Sequence, residues 1–303
     1  MTTHIRTVII PAAGQGSRLL PLTKVVPKEL LPVYDRPVLQ YALDEAVAAG
    51  AERIVIVIHP SKMAIRNYFT TTAGAIVPPE TASARARNES RAQIGVPPHI
   101  EVVFAIQKAP LGLGHAVLSA IGDILPGPVG VILPDDMIVG LPCMLQMAAA
   151  YQSGHMIAAM EVSPKDVEKY GIFRPAGSQN NRSVRVSGMV EKPKLNNAPS
   201  MLAAVGRYIL DAAIFDTLAR TPAGSGGEIQ LTDAIAADGA RHILTAFQFA
   251  GTRFDCGTFD GLFAAGAAQQ SKSSASATAE PNFAAAGARP DIAGRIGENR
   301  PSA

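Results

Sequence analysis

A glycine-rich segment that also carries basic side chains, residues 12–32, is the part of this sequence best suited to binding phosphate. Gly14 and Gly16 lack a Cβ, so their backbone N–H groups can approach an anion closely. Arg18 can bind phosphate oxygens through two parallel hydrogen bonds, and Lys28 adds a flexible positive charge. The segment directly follows a short apolar run that is typical of a buried strand. A strand that leads into such a turn predicts a site for a polyphosphate group.

Two common phosphate-binding motifs do not fit this segment. The dinucleotide fingerprint G-x-G-x-x-G requires a third glycine where this chain has Leu19. It also requires an acidic residue at the end of the second strand, whereas the run 53–58 is followed by His59 and Pro60. A P-loop, counted from Gly14, fails at Leu19 as well. These mismatches disfavour a dinucleotide-binding oxidoreductase.

Composition excludes several other classes of protein. The 303 residues can form one large α/β domain or two smaller ones, and 48% of them are hydrophobic. A net charge of +2 provides no broad basic surface, so nucleic acid is not an expected partner. No apolar run is long enough to span a bilayer, so no membrane is expected. The only cysteines, Cys143 and Cys256, form no CxxC motif, which fits a reducing cytoplasm better than a disulfide scaffold.

Strand-like and helix-like segments alternate along the first two-thirds of the chain. Predicted strands lie at about 53–58, 100–105, 129–133, 155–162, 184–191 and 202–210, and predicted helices at about 114–121, 141–152, 211–220 and 229–237. The early βαβ rhythm predicts a doubly wound, mainly parallel but mixed sheet flanked by helices. Ligands of such sheets bind at the carboxyl ends of the strands. The glycine-rich turn and Asp135 both lie at such an end.

The chain is predicted to contain a single large domain, over residues 1–270. Residues 271–303 are low in complexity and have few large apolar side chains, so we expect a disordered tail. The stretch 70–98 is polar, rich in alanine and interrupted by prolines, and its structure is not predicted.

Several separate blocks of this sequence resemble the sugar-1-phosphate nucleotidylyltransferases, and among them most closely the bacterial UTP–glucose-1-phosphate uridylyltransferases. In chain order these blocks are AAGQGSRLLPLTKVVPKELLP, LGLGHAV, VILPDD, KYGIF, VEKPK, AVGRYIL, GEIQLTDAI and FDCGT. The resemblance spans roughly residues 5–270. It implies a nucleotide-diphospho-sugar transferase (Rossmann-like) fold. It also implies a Mg²⁺-dependent, direct in-line transfer of UMP from UTP to glucose 1-phosphate, giving UDP-glucose and pyrophosphate.

The same resemblance implies a set of site residues. Its catalytic positions are Arg18, Lys28 and Lys192; its nucleotide-binding positions are Ala13, Gly14, Gly16, Ser17, Glu29, Gln107 and Gly112; its sugar-binding positions are Gly171, Glu191 and Lys192; and its Mg²⁺ ligands are Asp135 and Asp255. A glutamine at position 107 suits a pyrimidine edge, because its amide both donates and accepts hydrogen bonds. The neighbouring His115 is interpreted as a structural or hydrogen-bonding residue, since transfer between ionised phosphates needs no base.

Simpler interpretations of these residues stay open at this point. Asp135 and Asp136 could form an ordinary turn, and alternation along an extended chain directs their side chains to opposite sides. Asp255 could cap the helix that follows it. Glu191 and Lys192 could be a solvated surface pair.

Other functions also stay open. The nearest is a thymidylyltransferase or another sugar nucleotidylyltransferase, and a more distant one is a non-catalytic regulatory paralogue. The resemblance further implies a homo-oligomer, either a dimer or a tetramer.

Overall fold

A computed structural model describes residues 4–70, 95–180, 182–239 and 242–278 of the chain. The strands are β1 Thr7–Pro11, β2 Pro32–Val33, β3 Arg36–Pro37, β4 Arg53–Ile58, β5 Glu101–Ile106, β6 Val129–Ile132, β7 Asp136–Val139, β8 His155–Glu161, β9 Gly171–Asn180, β10 Ser183–Glu191, β11 Leu202–Leu210, β12 Leu244–Gln248 and β13 Thr252–Asp255. The α-helices are α1 Val38–Ala48, α2 Met63–Thr70, α3 Leu113–Leu118, α4 Cys143–Ala150, α5 Ile214–Arg220, α6 Leu231–Asp238 and α7 Phe259–Thr278.

A large mixed sheet forms the centre of the molecule, as predicted. Its strand order is β5-β4-β1-β6-β11-β8-β12-β10-β9. The four strands from β5 to β6 run parallel, and they include continuous buried runs such as Arg53–Ile58. Such runs are expected where helices cover both faces of a sheet. β11 then runs antiparallel to both β6 and β8, so the parallel order does not continue through the whole sheet.

Helices pack against both faces of the sheet through two separate hydrophobic clusters. On one side Leu43 of α1 and Met147 of α4 are fully buried. The other cluster contains Val117 of α3, Leu218 of α5 and Ile235 of α6, which are also fully buried. This two-layer covering confirms the doubly wound architecture. No helix within the described ranges is both long and apolar enough to cross a bilayer.

The predicted domain boundary at Gln270 falls inside a helix. α7 runs from Phe259 to Thr278, so regular structure continues into the segment that was expected to be a disordered tail. The rest of that tail, 279–303, lies outside the described residues, as do residues 71–94 of the stretch with no predicted structure.

Two short strands complete the framework around the carboxyl ends of the central strands. β7 follows β6 after a tight turn and pairs antiparallel with β13. In this pairing Asp136 lies opposite Asp255. Residues separated by more than a hundred positions in the sequence are thereby brought beside the end of β6.

Candidate active site

The glycine-rich turn leaves the carboxyl end of β1 and uses its two glycines differently. Gly16 has a φ of 69°, a left-handed conformation, and a Cβ there would lie 3.0 Å from the Thr23 side chain. Gly16 therefore permits the turn itself. At Gly14 an added Cβ would meet only Lys28 Cε, at 4.0 Å, so open space lies beside its backbone. Gly14 leaves room for a ligand.

A cavity of about 410 Å³ opens beside this turn. Its walls include six of the predicted site residues, Ala13, Gly14, Lys28, Gln107, Gly112 and Asp135. The cavity thus joins groups from three separate sequence blocks. Its lining also includes Gln15 and Glu228, which were not predicted. Gln15 lies between the two glycines, and Glu228 lies in the GEIQLTDAI block. The position of each residue within a recognised motif could therefore have indicated a place in the site.

Two ion pairs place cations against the predicted metal ligands. Lys28 Nζ lies 2.5 Å from Asp135 Oδ2, and Arg18 Nη1 donates to Asp255 Oδ2 at 3.0 Å. Burial disfavours both charges of the first pair, but the neighbouring opposite charge outweighs burial. As a result the pKa of Lys28 is raised and the pKa of Asp135 is lowered. Both groups are therefore charged near neutral pH.

The pairing of β7 with β13 places the backbones of the two predicted metal ligands on neighbouring segments. The backbone N–H of Cys256 donates to the carbonyl oxygen of Asp135 at 2.7 Å, so Asp255 and Asp135 lie on adjoining segments. Their carboxylates supply the hard oxygen ligands that Mg²⁺ prefers. The donor set therefore fits a magnesium ion.

The interpretation of Asp255 as a helix cap is wrong. Thr258 Oγ1 accepts from the N–H of Gly261 at 3.2 Å and caps the first turn of α7. Asp255 Oδ1 instead accepts from the N–H of Gly257, at 3.0 Å. A Cβ at Gly257 would clash with Arg18 Nη2 and lie 2.9 Å from that same oxygen, so a larger residue there would displace the Arg18–Asp255 pair.

Asp136 has a role different from that of its neighbour. Its Oδ2 accepts from the N–H of Gly206 at 2.8 Å, and its Oδ1 pairs with the Arg253 guanidinium. A Cβ at Gly206 would clash with this carboxylate, which explains the glycine in the AVGRYIL block. Asp135 lies in the turn that joins β6 to β7, so this turn, rather than alternation along an extended chain, gives the two carboxylates different partners.

The predicted sugar-binding residues lie together on the β9–β10 hairpin, outside the lining of the cavity. Gly171 and Glu191 are register partners, and a Cβ at Gly171 would come within 3.2 Å of Glu191 Oε2. Lys192 is non-glycine but has a φ of 42°, a strained conformation that is often found at functional positions. Its side chain is 62% exposed, and its Nζ forms a partly exposed ion pair with Glu191 Oε1 at 3.4 Å. The lysine is thus available to a ligand.

A chain of contacts connects this hairpin to the metal-ligand end of the site. The Lys192 N–H donates to the Tyr170 carbonyl oxygen at 3.0 Å. The Tyr170 hydroxyl accepts from Arg253 Nη1 at 2.8 Å, and Arg253 also binds Asp136. Arg253 had no role in the sequence interpretation, because nothing local to it indicates a partner 117 residues away.

Gln107 is held in one orientation at the other end of the cavity. Its Nε2 donates to the Gly112 carbonyl oxygen at 3.1 Å and lies 3.1 Å from His115 Nδ1. A carbonyl can only accept, so this contact assigns the amide nitrogen and leaves the amide oxygen for a ligand N–H. Gly112 has a φ of 92°, and a Cβ there would lie 2.8 Å from the Ile229 carbonyl oxygen. This glycine is needed for packing against Ile229.

Two residues predicted to bind the nucleotide, Glu29 and Ser17, do not line the cavity. Glu29 is 1% exposed, and both of its carboxylate oxygens bind Lys62, so the predicted contact between Glu29 and the nucleotide is corrected to a buried ion pair. The reason is that Lys62 lies within hydrogen-bond distance of this carboxylate, and Glu29 is not part of the cavity lining. Ser17 is exposed at the start of the 3₁₀ turn Ser17–Leu19 and is not part of the cavity lining.

Comparison with known proteins gives consistent matches over most of the chain. The sequence profile of the nucleotidyl transferase family matches residues 7–272. A UTP–glucose-1-phosphate uridylyltransferase from Escherichia coli strain K12 is 39% identical over 267 residues, which cover 85% of this chain and 87% of the relative. A solved UDP-glucose pyrophosphorylase complexed with UDP-glucose has a TM-score of 0.78 and 37% identity, covering 88% of this chain and 99% of that one. A UTP-bound UGPase from Acinetobacter baumannii has a TM-score of 0.79 and 38% identity, covering 87% and 92%.

Proposed function

Because the chain belongs to the nucleotidyl transferase family, among the UTP–glucose-1-phosphate uridylyltransferases, we propose that it forms UDP-glucose and pyrophosphate from UTP and glucose 1-phosphate. The observation that carries this proposal is the shared cavity. One wall supplies a glycine-rich turn with Lys28, another supplies Gln107, and Asp135 lies with them. Groups suited to a triphosphate, a base and a divalent cation therefore converge in a single space.

The reaction needs alignment and charge neutralisation more than covalent help. An oxygen of the sugar phosphate bonds to the α-phosphorus of UTP, while the bond from that phosphorus to the pyrophosphate oxygen breaks. The attacking oxygen is already ionised, so no side chain has to remove a proton. Arg18, Lys28 and Lys192 place positive charge around the phosphates, and such preorganised charge is a large catalytic term. Lys192 is assigned to the sugar phosphate, because it lies on the hairpin beside Gly171 and Glu191.

Asp135 and Asp255 would hold Mg²⁺ in this mechanism. The bound cation would neutralise negative charge on the phosphate oxygens of UTP. Lys28 forms an ion pair with Asp135, and Arg18 forms one with Asp255. A cation held by these carboxylates would replace the two basic side chains as their counter-charge, which would leave Lys28 and Arg18 free to contact phosphate.

The orientation of Gln107 supports a preference for uracil. Its amide nitrogen is occupied by Gly112, so its oxygen is the group that can accept the uracil N3–H. Cytosine has an acceptor at N3, which would leave two acceptors facing each other. An unpaired buried polar group costs roughly 1–3 kcal/mol, so CTP should be disfavoured by about tenfold to a hundredfold. Thymine adds only a methyl group, which discriminates weakly.

A substrate panel tests this proposal. Pyrophosphate release is measured with UTP, dTTP, CTP, ATP and GTP, each against glucose 1-phosphate and other sugar 1-phosphates, with and without Mg²⁺. We expect UTP with glucose 1-phosphate to be best, dTTP to be a measurable second, and no turnover without a divalent cation. A higher kcat/KM for dTTP would favour a thymidylyltransferase, and no turnover with any pair would favour a non-catalytic paralogue.

Two further features belong to the same proposal. Cys143 and Cys256 are buried free thiols, which suits an enzyme of the reducing cytoplasm. Assembly into a dimer or tetramer stays a prediction of the resemblance, and light scattering on the full chain would measure it.

A further inference from the structure

Lys62 is a buried lysine that reaches the glycine-rich turn from the neighbouring strand. It follows β4, at the end of the 3₁₀ turn Pro60–Lys62, and is only 7% exposed. Its Nζ donates to the carbonyl oxygens of Ala12 at 2.8 Å and Gly14 at 2.5 Å. It also contacts both carboxylate oxygens of Glu29, at 3.0 and 2.8 Å. A single ammonium group thus joins the turn to two other segments of the chain.

These contacts determine which way the turn presents its backbone. In a trans peptide unit, the carbonyl oxygen of one residue and the N–H of the next point in opposite directions. Lys62 binds the carbonyls of Ala12 and Gly14, so the N–H groups of Ala13 and Gln15 are directed away from it. Ala13 and Gln15 both line the cavity. Backbone N–H groups presented in this way form a concave site for an anion.

Lys62 is not suited to binding phosphate itself. An ammonium group has three N–H donors, and two carbonyls and a carboxylate already occupy the surroundings of this one. Glu29 also neutralises its charge within hydrogen-bond distance. The two lysines beside the turn therefore differ in role. Lys28 lines the cavity and can contact a ligand there, whereas Lys62 contacts the backbone of the turn.

We propose that Lys62, held in place by Glu29, is a positioning residue that directs the N–H groups of Ala13 and Gln15 towards the phosphates of the nucleotide. The inference rests on the proposed function, because it takes the ligand of the turn to be a nucleoside triphosphate. A purely structural ion pair would stabilise the fold without favouring one substrate over the other. The two roles therefore differ in how they affect the two substrates.

The test uses the full-length chain with Lys62→Met, which keeps the length of the side chain but removes its donors. Because this variant leaves Glu29 buried without a partner, the double variant Lys62→Met/Glu29→Gln is measured beside it. Affinities for UTP and inorganic tripolyphosphate are obtained by calorimetry, and KM values for both substrates by pyrophosphate release. Asp238→Asn is the matched control, since it removes the negative charge from a buried pair with His155 that does not line the cavity.

We expect the double variant to bind UTP and tripolyphosphate about tenfold or more weakly, because misdirected N–H groups lose charge-assisted hydrogen bonds. The KM for glucose 1-phosphate should change by less than about threefold. Asp238→Asn should lower the melting temperature without affecting UTP binding. Unchanged UTP affinity in the double variant, or an equal loss for both substrates, would overturn the proposal. Lys62-dependent tripolyphosphate binding in a chain without turnover would uphold it while refuting the proposed function.

Discussion

The substitution Asp255→Asn should separate a metal ligand from a structural aspartate. The variant keeps the Oδ1 atom that accepts from the Gly257 N–H. It loses the charge that pairs with Arg18, but that side chain is 60% exposed, so the pair contributes at most about 1 kcal/mol. For a domain of this size such a loss lowers the melting temperature by roughly 2–4 °C. Turnover should fall much further, on the order of a hundredfold or more, because a carboxylate that holds Mg²⁺ is removed.

Thr258→Ala is the matched control for this experiment. Thr258 caps α7, the helix that follows Asp255, through its hydroxyl, and removing a cap typically costs about 1 kcal/mol. The control should therefore match or exceed the stability loss of Asp255→Asn while keeping turnover within about twofold of the unchanged chain.

Two measurements decide the outcome. Thermal unfolding gives the stability change, and pyrophosphate release over a range of Mg²⁺ concentrations gives the catalytic change. We expect Asp255→Asn to require more Mg²⁺ for half-maximal turnover. If this variant loses stability but keeps the turnover and the Mg²⁺ dependence of the unchanged chain, then the assignment of Asp255 as a metal ligand is wrong.

Two other predictions concern the sugar-phosphate lysine and a buried histidine. Lys192→Ala should lower kcat/KM for glucose 1-phosphate by about 10²–10³, with UTP affinity retained; because Lys192 has a φ of 42°, Lys192→Gly should be about 1 kcal/mol more stable than Lys192→Ala but equally inactive. Near-normal turnover of either variant would remove Lys192 from the mechanism. Burial, only partly offset by the hydrogen bond to Asp238, lowers the pKa of His155. The unfolded chain therefore binds more protons, and the free energy of unfolding should fall as the pH drops below about 6.5. Urea denaturation at several pH values in this range gives the free energy of unfolding as a function of pH. That free energy should depend less steeply on pH in His155→Asn than in the unchanged chain. An equally steep pH dependence would show that His155 is not the group responsible.

Much of this architecture follows from local sequence patterns. The β-branched run 53–58 is the strand β4, since such side chains favour a pleated, buried backbone. The mainly apolar run 202–210 is the strand β11. The glycine-rich turn and Asp135 could be placed at strand ends for the same local reason. Because parallel strands end at one edge of a sheet, even the convergence of the turn with Asp135 was predictable.

The pairing of distant groups was decided only by the tertiary structure. Arg18 meets Asp255 across 237 positions, and Lys62 meets Glu29 across 33, through contacts that no local pattern encodes. The antiparallel insertion of β11 between β6 and β8 was equally invisible, because strand propensity does not specify a neighbour or a direction. Local sequence determines which backbone conformation each segment prefers. The spatial arrangement of the packed segments determines which buried charges form ion pairs. That arrangement depends on the sequence of the whole chain.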